Sequence, residues 1–269
     1  MQRTSKTAPL RVVSYNILAQ AYVRPGRYPR SSPAALDRRA RRARLLAQLA
    51  NLSADVYCLQ EVEPDAHEAI AAHLGDAYRG AFEAKRGRPD GCSIFARADR
   101  VAIERVDALH YAAHDPGDDQ LALIAALRCD AGALAVASTH LRWQPDATPP
   151  ERHLGRLQFI ELLDHREARL AALPVWVIAG DLNATSQSAV VSAALDRGLA
   201  LSCRSQRPWD TCNINGRRRK LDYLLYAPGT LEPRPGALPK LGRDTPMPSE
   251  VHPSDHLPLA VDFAWPSGA

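Results

Sequence analysis

Several segments with the composition of a buried β-strand are followed within two residues by a polar side chain that could belong to a site. The segments and the polar residues after them are 10–15 with Asn16, 55–60 with Glu61, 133–138 with His140, and 175–179 with Asp181. Polar groups are costly inside a core, so we expect these side chains where strands emerge from a sheet. With 269 residues, the chain can form one large α/β domain or two small ones.

Hydrophobic periodicity predicts the remaining elements. We expect strands at 10–15, 55–60, 90–95, 121–129, 133–138, 175–179, 220–226 and 257–263, and helices at about 33–52, 65–74 and 150–172. The proline-rich residues 228–253 are predicted to form a long loop, because the Asp255 motif beyond them must rejoin the body.

Charge and composition leave the substrate class open. The formal charge of +4 permits an anionic substrate without demanding one. Five arginines form a run that interleaves with Leu36 and alanines at helical spacing, which favours a solvated helix face over a nucleic-acid tract. The arginines of this run are Arg38, Arg39, Arg41, Arg42 and Arg44.

Cysteine usage and the N-terminus bear on the compartment. The five cysteines form no Cys-x-x-Cys pair and leave an odd thiol, which favours a reducing compartment without structural zinc. Residues 1–6 run directly into the first strand without a signal-like apolar region, and no apolar run reaches the length of a membrane span. We expect a cytoplasmic protein.

The Asp255-His256 pair stands just before the last apolar strand. An imidazole beside a carboxylate at a strand mouth suits catalysis at a phosphoryl centre, although Ser-Asp-His is also typical of an Asx turn capped by a surface histidine. The other polar residues have structural alternatives too. Glu61 could be a helix N-terminal carboxylate before Pro64, Asp222 an edge-strand charge, and His140 a core histidine. The asparagines that follow strands could be turn residues.

Taken together, the polar residues form an oxygen-rich set without cysteine. Such a set suits a hard divalent cation better than zinc, so we expect Mg²⁺, or Mn²⁺ in its place. Magnesium commonly takes one or two carboxylates and keeps several waters, which makes Glu61 a candidate direct ligand. The complete set is Asn16, Glu61, His140, Asp181, Asn183, Asp222, Asp255 and His256.

These residues stand in six ordered motifs. The motifs are Ser-Tyr-Asn16-Ile-Leu, Leu-Gln-Glu61-Val, Thr-His140-Leu-Arg-Trp, Gly-Asp181-Leu-Asn183-Ala-Thr, Leu-Asp222-Tyr and Ser-Asp255-His256. The set resembles the endonuclease/exonuclease/phosphatase superfamily, and within it the branch of poly(A) deadenylases and nocturnin. The resemblance covers about residues 10–263, so we expect a single domain spanning residues 1–269. It implies a four-layer α/β sandwich with two packed mixed β-sheets and outer helices.

The resemblance also implies a role for each site residue. Glu61 is expected to be the principal Mg²⁺ ligand, with Asn16 beside it and Asp255 at a second or shared metal position.

The catalytic roles follow from the same resemblance. Asp181 is expected to orient or deprotonate the attacking water, and Asn183 to hold the phosphate. His256 is expected to bind the scissile phosphate, with Asp222 fixing its ring. His140 is expected to contact a phosphate oxygen on the opposite side.

Substrate contacts are expected from Arg142, Pro145 and Arg217. Pro145 matches a proline that stacks adenine in deadenylases of this branch, but residues 213–220 contain no aromatic partner. The basic residues from Arg217 to Lys220 either hold an additional phosphate or form a solvated hairpin tip.

The implied activity is Mg²⁺-dependent hydrolysis of a phosphate ester. A deadenylase-like 3′ exoribonuclease is the leading hypothesis, with a nocturnin-like NADP(H) 2′-phosphatase or another nucleotide phosphatase as the alternative and a non-catalytic nucleotide-binding module as a distant third. We expect RNA or a nucleotide as substrate, no membrane association, no obligate protein partner, and a monomer.

Overall fold

The computed structural model describes residues 8–203 and 209–266. Its strands are β1 (Leu10–Asn16), β2 (Val56–Val62), β3 (Tyr78–Ala84), β4 (Gly91–Arg97), β5 (Val101–His110), β6 (Leu121–Cys129), β7 (Gly132–His140), β8 (Trp176–Asp181), β9 (Ala200–Leu201), β10 (Cys212–Ile214), β11 (Arg217–Arg219), β12 (Asp222–Tyr226), β13 (Glu232–Pro235) and β14 (Leu259–Ala264). Its α-helices are α1 (Pro33–Leu36), α2 (Arg38–Leu52), α3 (Pro64–Leu74), α4 (Leu154–Arg169) and α5 (Ala189–Asp196). No described helix is long and apolar enough to cross a membrane.

The longer strands form two six-stranded mixed sheets. The first has the order β13-β14-β1-β2-β4-β3, and the second has the order β5-β6-β7-β8-β12-β9. Each sheet contains one parallel pair, β1 with β2 and β7 with β8, and the other pairs are antiparallel. The strands β10 and β11 form a separate hairpin.

Successive side chains of a strand point to opposite faces of its sheet, and both faces of each sheet are apolar, which gives three apolar layers. Val12 and Val56 of the first sheet join Val136 and Val177 of the second in one buried cluster between the sheets. The opposite face of the first sheet packs on α2 and α3, and the opposite face of the second packs on α4 and α5. This arrangement confirms the predicted α/β sandwich of two packed mixed sheets and outer helices.

Helix α2 departs from the predicted solvated face at one arginine. Arg41 is only 6% exposed, and its guanidinium donates to the carbonyls of Ile17 and Pro253 at 2.9 and 3.1 Å. It therefore ties the loop after β1 to the loop before Asp255. By contrast, Arg38 and Arg42 lie nearer the surface and pair with Asp65.

Several elements were not predicted from sequence. Strands β3 and β5 and helix α5 lie in stretches without an assigned element, and β13 lies inside the predicted loop of residues 228–253. Both β3 and β13 are edge strands with exposed or half-buried residues, which gives them little apolar signal. Strand β5 is also an edge strand, and most of its residues are exposed or half-buried.

Candidate active site

Three polar side chains stand in a row at one end of the second sheet. His140 ends β7 and pairs in register with Asp181, which ends β8, and Asp181 in turn pairs with Asp222 at the start of β12. Residues directly opposite each other on paired strands point to the same face. Strand register thus places an imidazole and two carboxylates together, as the expected strand-end site requires.

His256 joins this row from the segment before β14. Its Nδ1 lies 2.8 Å from Asp222 Oδ2, and its Nε2 lies 3.7 Å from Asp181 Oδ2. Burial alone would lower the pKa of His256, but the charges of Asp222 and Asp181 and the hydrogen bond to Asp222 raise it well above the usual value. The two carboxylates therefore favour the protonated imidazolium form of the ring, and the one bonded to Nδ1, Asp222, has an exposed fraction of 0%.

A short backbone network holds His256 in place. Its N–H donates to Ser254 Oγ, and that hydroxyl donates to the Asn16 carbonyl at the end of β1. The adjacent Leu257 N–H donates to the Thr211 carbonyl beside β10. The chain on both sides of the ring is thereby anchored to two separate elements.

Asp181 has the properties of a base that works near neutral pH. Burial raises its pKa to about 7, the charge of His256 opposes that rise, and the charge of Asp222 adds to it. Its Oδ2 accepts a hydrogen bond from Asn16 Nδ2, and its Oδ1 accepts one from the Asn183 N–H. A carboxylate with a pKa near the working pH is suited to accept a proton from water.

Asn16 joins the two sheets at the floor of the site. Its Nδ2 donates at 3.0 Å to Glu61 Oε1 and at 3.0 Å to Asp181 Oδ2. Its side-chain oxygen accepts the Leu18 N–H, which fixes the orientation of the amide. In this arrangement Asn16 positions both carboxylates.

Glu61, which lies on β2, and Asp255, which lies in the segment before β14, line the same cleft. Glu61 lies in an irregular stretch of the β2–β4 pairing and has a φ of 53°. Burial, followed by the charge of Asp255, raises the pKa of Glu61. Asp255 accepts a hydrogen bond from the Tyr28 hydroxyl at 2.9 Å.

The donors around Glu61 fit a divalent cation such as Mg²⁺. A hard cation stabilises the ionised form of a carboxylate that burial and a second carboxylate disfavour, as they do for Glu61, and such a cation prefers oxygen ligands. Asp181, Asp222 and His256 also bring potential ligand atoms within 4.8 Å of one another. In that second group His256 already supplies a positive charge, which favours Glu61 and Asp255 as the residues that could hold a metal.

His140 is held as a neutral ring by a buried ion pair. Lys85 Nζ lies 2.7 Å from Asp90 Oδ2 and 3.2 Å from His140 Nδ1. Burial, with the charges of Lys85 and His256, lowers the pKa of His140 well below its usual value. Since an ammonium can only donate, Nδ1 accepts and the ring proton lies on Nε2.

The Nε2 atom of His140 lies 3.0 Å from the side-chain nitrogen of Asn183. That amide also donates to the Leu141 carbonyl at 2.9 Å, which sets its orientation. With the ring proton on Nε2, these two nitrogens are both donors and cannot bond each other, so each N–H is left for an acceptor atom in the cleft. A phosphoryl oxygen can accept from both of them.

A cleft of about 510 Å³ contains these groups. The predicted Arg217 lines it, and the predicted Pro145 lines an adjoining cleft of about 290 Å³ together with Trp143. The predicted Arg142 is instead paired with Asp118 and Asp119 and does not line either cleft. The residues that line the main cleft are Leu18, Tyr22, Arg27, Glu61, Arg88, His140, Trp143, Asp181, Asn183, Ile214, Arg217, Arg219, Leu221, Asp255 and His256.

Sequence analysis missed Lys85, Asp90, Tyr22 and Tyr28. The Tyr22 hydroxyl donates to Asp90, and the Tyr28 hydroxyl donates to Asp255. Both tyrosines come from the irregular segment between β1 and α1, where periodicity gives no signal. An aspartate directly before an apolar strand, as in Asp90-Gly91, was the one available indication.

Comparison with known proteins places the whole site within one family profile. The profile of the Endonuclease/Exonuclease/phosphatase family matches residues 13–256. Carbon catabolite repressor protein 4 homolog 4 of Arabidopsis thaliana is 28% identical over 325 residues, which cover 94% of this chain and 77% of that protein. The CCR4-Not complex 3'-5'-exoribonuclease subunit Ccr4 of Kluyveromyces lactis is 26% identical, and the match covers 94% of this chain but 40% of that protein.

Human nocturnin is similar in both sequence and structure. It is 27% identical over 290 residues, which cover 96% of this chain and 65% of nocturnin. The structure of its catalytic domain with a bound sulfate anion matches with a TM-score of 0.74 and 25% identity, covering 97% of this chain and 95% of that chain.

Proposed function

The chain belongs to the Endonuclease/Exonuclease/phosphatase family, and we propose that it is a metal-dependent hydrolase that cleaves the terminal phosphodiester at the 3′ end of RNA. The observation that carries the proposal is the row of His140, Asp181 and Asp222 with the His256 imidazolium, which faces Glu61 and Asp255 across one cleft. The similarity to an exoribonuclease subunit supports RNA as the substrate class.

In the proposed reaction the site first binds the scissile phosphate. His256 donates from Nε2 to one phosphoryl oxygen, while His140 and Asn183 donate to another. These donors are already in place before substrate binds, because Asp222 fixes one ring and Lys85 fixes the other. Preorganised donors of this kind stabilise charge that develops on the phosphate.

Asp181 then accepts the proton of a water molecule. The water oxygen forms a bond to phosphorus, the bond from phosphorus to the 3′ oxygen of the shortened chain breaks, and that oxygen takes up a proton from solvent. The products are a nucleoside 5′-monophosphate and a new 3′ end. Glu61 and Asp255 would hold a divalent cation, which offsets charge on the leaving oxygen when bound.

The proposal is tested by turnover of a substrate panel with Mg²⁺. The panel contains oligo(A), mixed-sequence RNA, single-stranded DNA, NADP(H) and RNA with a 2′,3′-cyclic end. We expect stepwise release of nucleoside 5′-monophosphates from RNA, and loss of that release in excess chelator. Phosphate release from NADP(H) alone, opening of the cyclic end alone, or full activity in chelator would each overturn it.

A further inference from the structure

The three arginines of β11, Arg217 to Arg219, lie on two sides of the hairpin that β11 forms with β10. Arg217 and Arg219 line the main cleft, as does Ile214, which pairs with Arg217. Arg218 faces away, where it donates to the Leu241 carbonyl at 2.8 Å and pairs with Asp210 at 3.4 Å. This is the alternation expected of a strand with one face toward a cleft.

A second loop brings Arg27 to the same wall. The hairpin turns at Asn215 and Gly216, whose φ values of 53° and 84° are typical of a type I′ turn. The Asn215 side chain donates to the Arg27 carbonyl at 2.6 Å. Arg27 also lines the main cleft, so the hairpin and the loop after β1 form one basic wall.

The charges of this wall are not neutralised by neighbouring carboxylates. Among residues 8–203 and 209–266, no ion pair is recorded for Arg27, Arg217 or Arg219, whereas Arg88 on the same cleft pairs with Asp119. The carboxylates of the cleft floor are engaged elsewhere. Glu61 accepts from Asn16 and the Ala19 N–H, and Asp255 accepts from Tyr28.

We propose that Arg27, Arg217 and Arg219 form a second anion subsite, which binds a phosphate of the substrate other than the one being hydrolysed. The inference rests on the proposed function, since it assumes that the scissile phosphate lies at the floor of the cleft. Guanidinium groups bind phosphate through paired, charge-assisted hydrogen bonds, and three of them on one wall exceed what a single phosphate at the floor can use.

The subsite distinguishes substrate classes. A substrate with two phosphates within reach uses both the floor and the wall, whereas a simple phosphate monoester uses the floor alone. The second phosphate comes either from the next internucleotide link of an RNA chain or from a pyrophosphate. Adenosine 3′,5′-bisphosphate reproduces the first spacing, and ADP reproduces the second.

The test is a calorimetric titration with AMP, ADP and adenosine 3′,5′-bisphosphate, with Ca²⁺ in place of Mg²⁺ to slow turnover. We expect the bisphosphate to bind at least about 10-fold more tightly than AMP, since a charge-assisted hydrogen bond contributes about one order of magnitude in affinity. Arg27→Ala, Arg217→Ala and Arg219→Ala should each remove most of this advantage and leave AMP affinity within about 2-fold of wild type.

Arg218→Ala is the matched control, because it removes an arginine from the same strand without touching the cleft. It should retain the full preference for the bisphosphate. The slope of log affinity against log salt for a short oligonucleotide should also fall by about 0.7 for each wall arginine removed. A merely structural role of the hairpin would not change that slope.

Equal affinity for all three nucleotides would overturn the second subsite, and so would an equal loss in Arg218→Ala. A preference for ADP over the bisphosphate would support the subsite and assign it to a pyrophosphate. Because binding is measured without turnover, this result does not depend on the substrate panel. Failure to cleave any RNA would refute the proposed function and leave the binding comparison intact.

Discussion

The His256 ring lies between two buried carboxylates, and its two nitrogens have different tasks. Nδ1 is engaged by Asp222 at 2.8 Å, which leaves Nε2 directed toward Asp181 and the cleft. The Asp222 carboxylate therefore both orients the ring and keeps it charged. If Asp222 acts only through His256, it has no further effect on the rate once His256 is removed.

Removing this pair should be strongly non-additive. We expect Asp222→Asn and His256→Ala each to lower kcat/KM by about 100-fold or more, and the double variant to be little worse than the poorer single variant. The measurement is kcat/KM on the RNA that the panel selects, at saturating Mg²⁺, with folding checked by circular dichroism. Multiplying losses would mean that the two residues act independently.

The pH dependence of kcat/KM is a separate test of the contact between Asp222 and His256. The pKa of His256 is raised by Asp222, so the charged ring persists to alkaline pH and is lost only as the pH rises through that raised value. Asp222→Asn removes the charge and lowers the pKa of His256. The alkaline limb of kcat/KM should therefore move to lower pH in Asp222→Asn, whereas an unmoved limb would assign it to another group.

The Lys85 ammonium should decide which nitrogen of His140 carries the proton. Removing Lys85 alone would strand the buried Asp90 charge, so we choose the double variant Lys85→Met/Asp90→Asn, which removes both charges. We expect kcat to fall by about 10-fold or more, because His140 no longer donates to the phosphate from a fixed tautomer.

The direct measurement is the ¹⁵N spectrum of the His140 ring. In the wild type, Nε2 should be the protonated nitrogen, and in the double variant both tautomers should appear. Lys240→Met removes an exposed lysine and should change neither the spectrum nor kcat. A wild-type spectrum with the proton on Nδ1 would contradict the assignment.

At the level of elements, the site depends on a very close approach of β7 and β8. A Cβ added at Gly180 would lie 2.1 Å from the Thr139 carbonyl oxygen, a backbone atom that cannot move without the strand. Asp181 and His140 follow these two residues directly and pair in register. Glycine at this position therefore sets the spacing between His140 and Asp181 in the row of polar side chains.

Gly180→Ala should force the two strands apart. We expect the free energy of unfolding to fall by about 3 kcal/mol, at the upper end of the usual cost of overpacking a core. Urea denaturation measures this change, and Gly26→Ala is the control, because a Cβ there meets nothing within 4 Å. Equal stability of the two variants would contradict the close approach.

The residues of the candidate site that were predicted from sequence lie mostly at strand ends. Asn16, Glu61 and Asp181 follow apolar strands, so both their position and their polarity are visible in the sequence. Lys85 and Tyr28 were missed because they reach the site through the packing of loops, which periodicity does not encode. The engagement of Arg142 by Asp118 and Asp119 was hidden for the same reason.

In the fold, too, the elements with a clear apolar pattern were predicted, and features that depend on long-range packing were not. The central strand β8 is apolar from Trp176 to Ala179 and was predicted within one or two residues, whereas the edge strand β3 has no such apolar run and exposes Arg79. The helix face that contains Arg41 was predicted to be solvated. Arg41 is buried because the loops that contain Ile17 and Pro253 cover it, and helical periodicity does not indicate where those loops run. Long-range contacts of this kind depend on sheet order.

At the scale of the whole molecule, the side of the cleft that contains Glu61 and Asp255 links distant parts of the chain. Glu61 lies on β2 in the first sheet, and Asp255 lies in the segment held by Arg41 and Tyr28. Asn16 connects Glu61 to Asp181 of the second sheet. A cation held by Glu61 and Asp255 would therefore stabilise contacts that exist only in the folded state.

Magnesium should accordingly raise the stability of the protein in a pH-dependent way. Burial and the charge of Asp255 raise the pKa of Glu61 in the metal-free folded state. Between the pKa of Glu61 in the unfolded chain and its raised pKa in the folded state, the folded state binds more protons, so its stability falls as the pH rises through this range. A cation reverses the penalty on the ionised form. At about ten times its dissociation constant, Mg²⁺ should add about 1.4 kcal/mol, or roughly 3 °C in melting temperature.

The measurement is a pair of thermal melts, with Mg²⁺ and with chelator, at pH 5 and at pH 8. The shift should be larger at pH 8, where Glu61 must be ionised, and Glu61→Gln should abolish it. Glu68→Gln removes an exposed carboxylate from α3 and should keep the full shift. If Glu61→Gln still responds to Mg²⁺ as the wild type does, the cation binds elsewhere, and the group of Asp181, Asp222 and His256 becomes the site to examine.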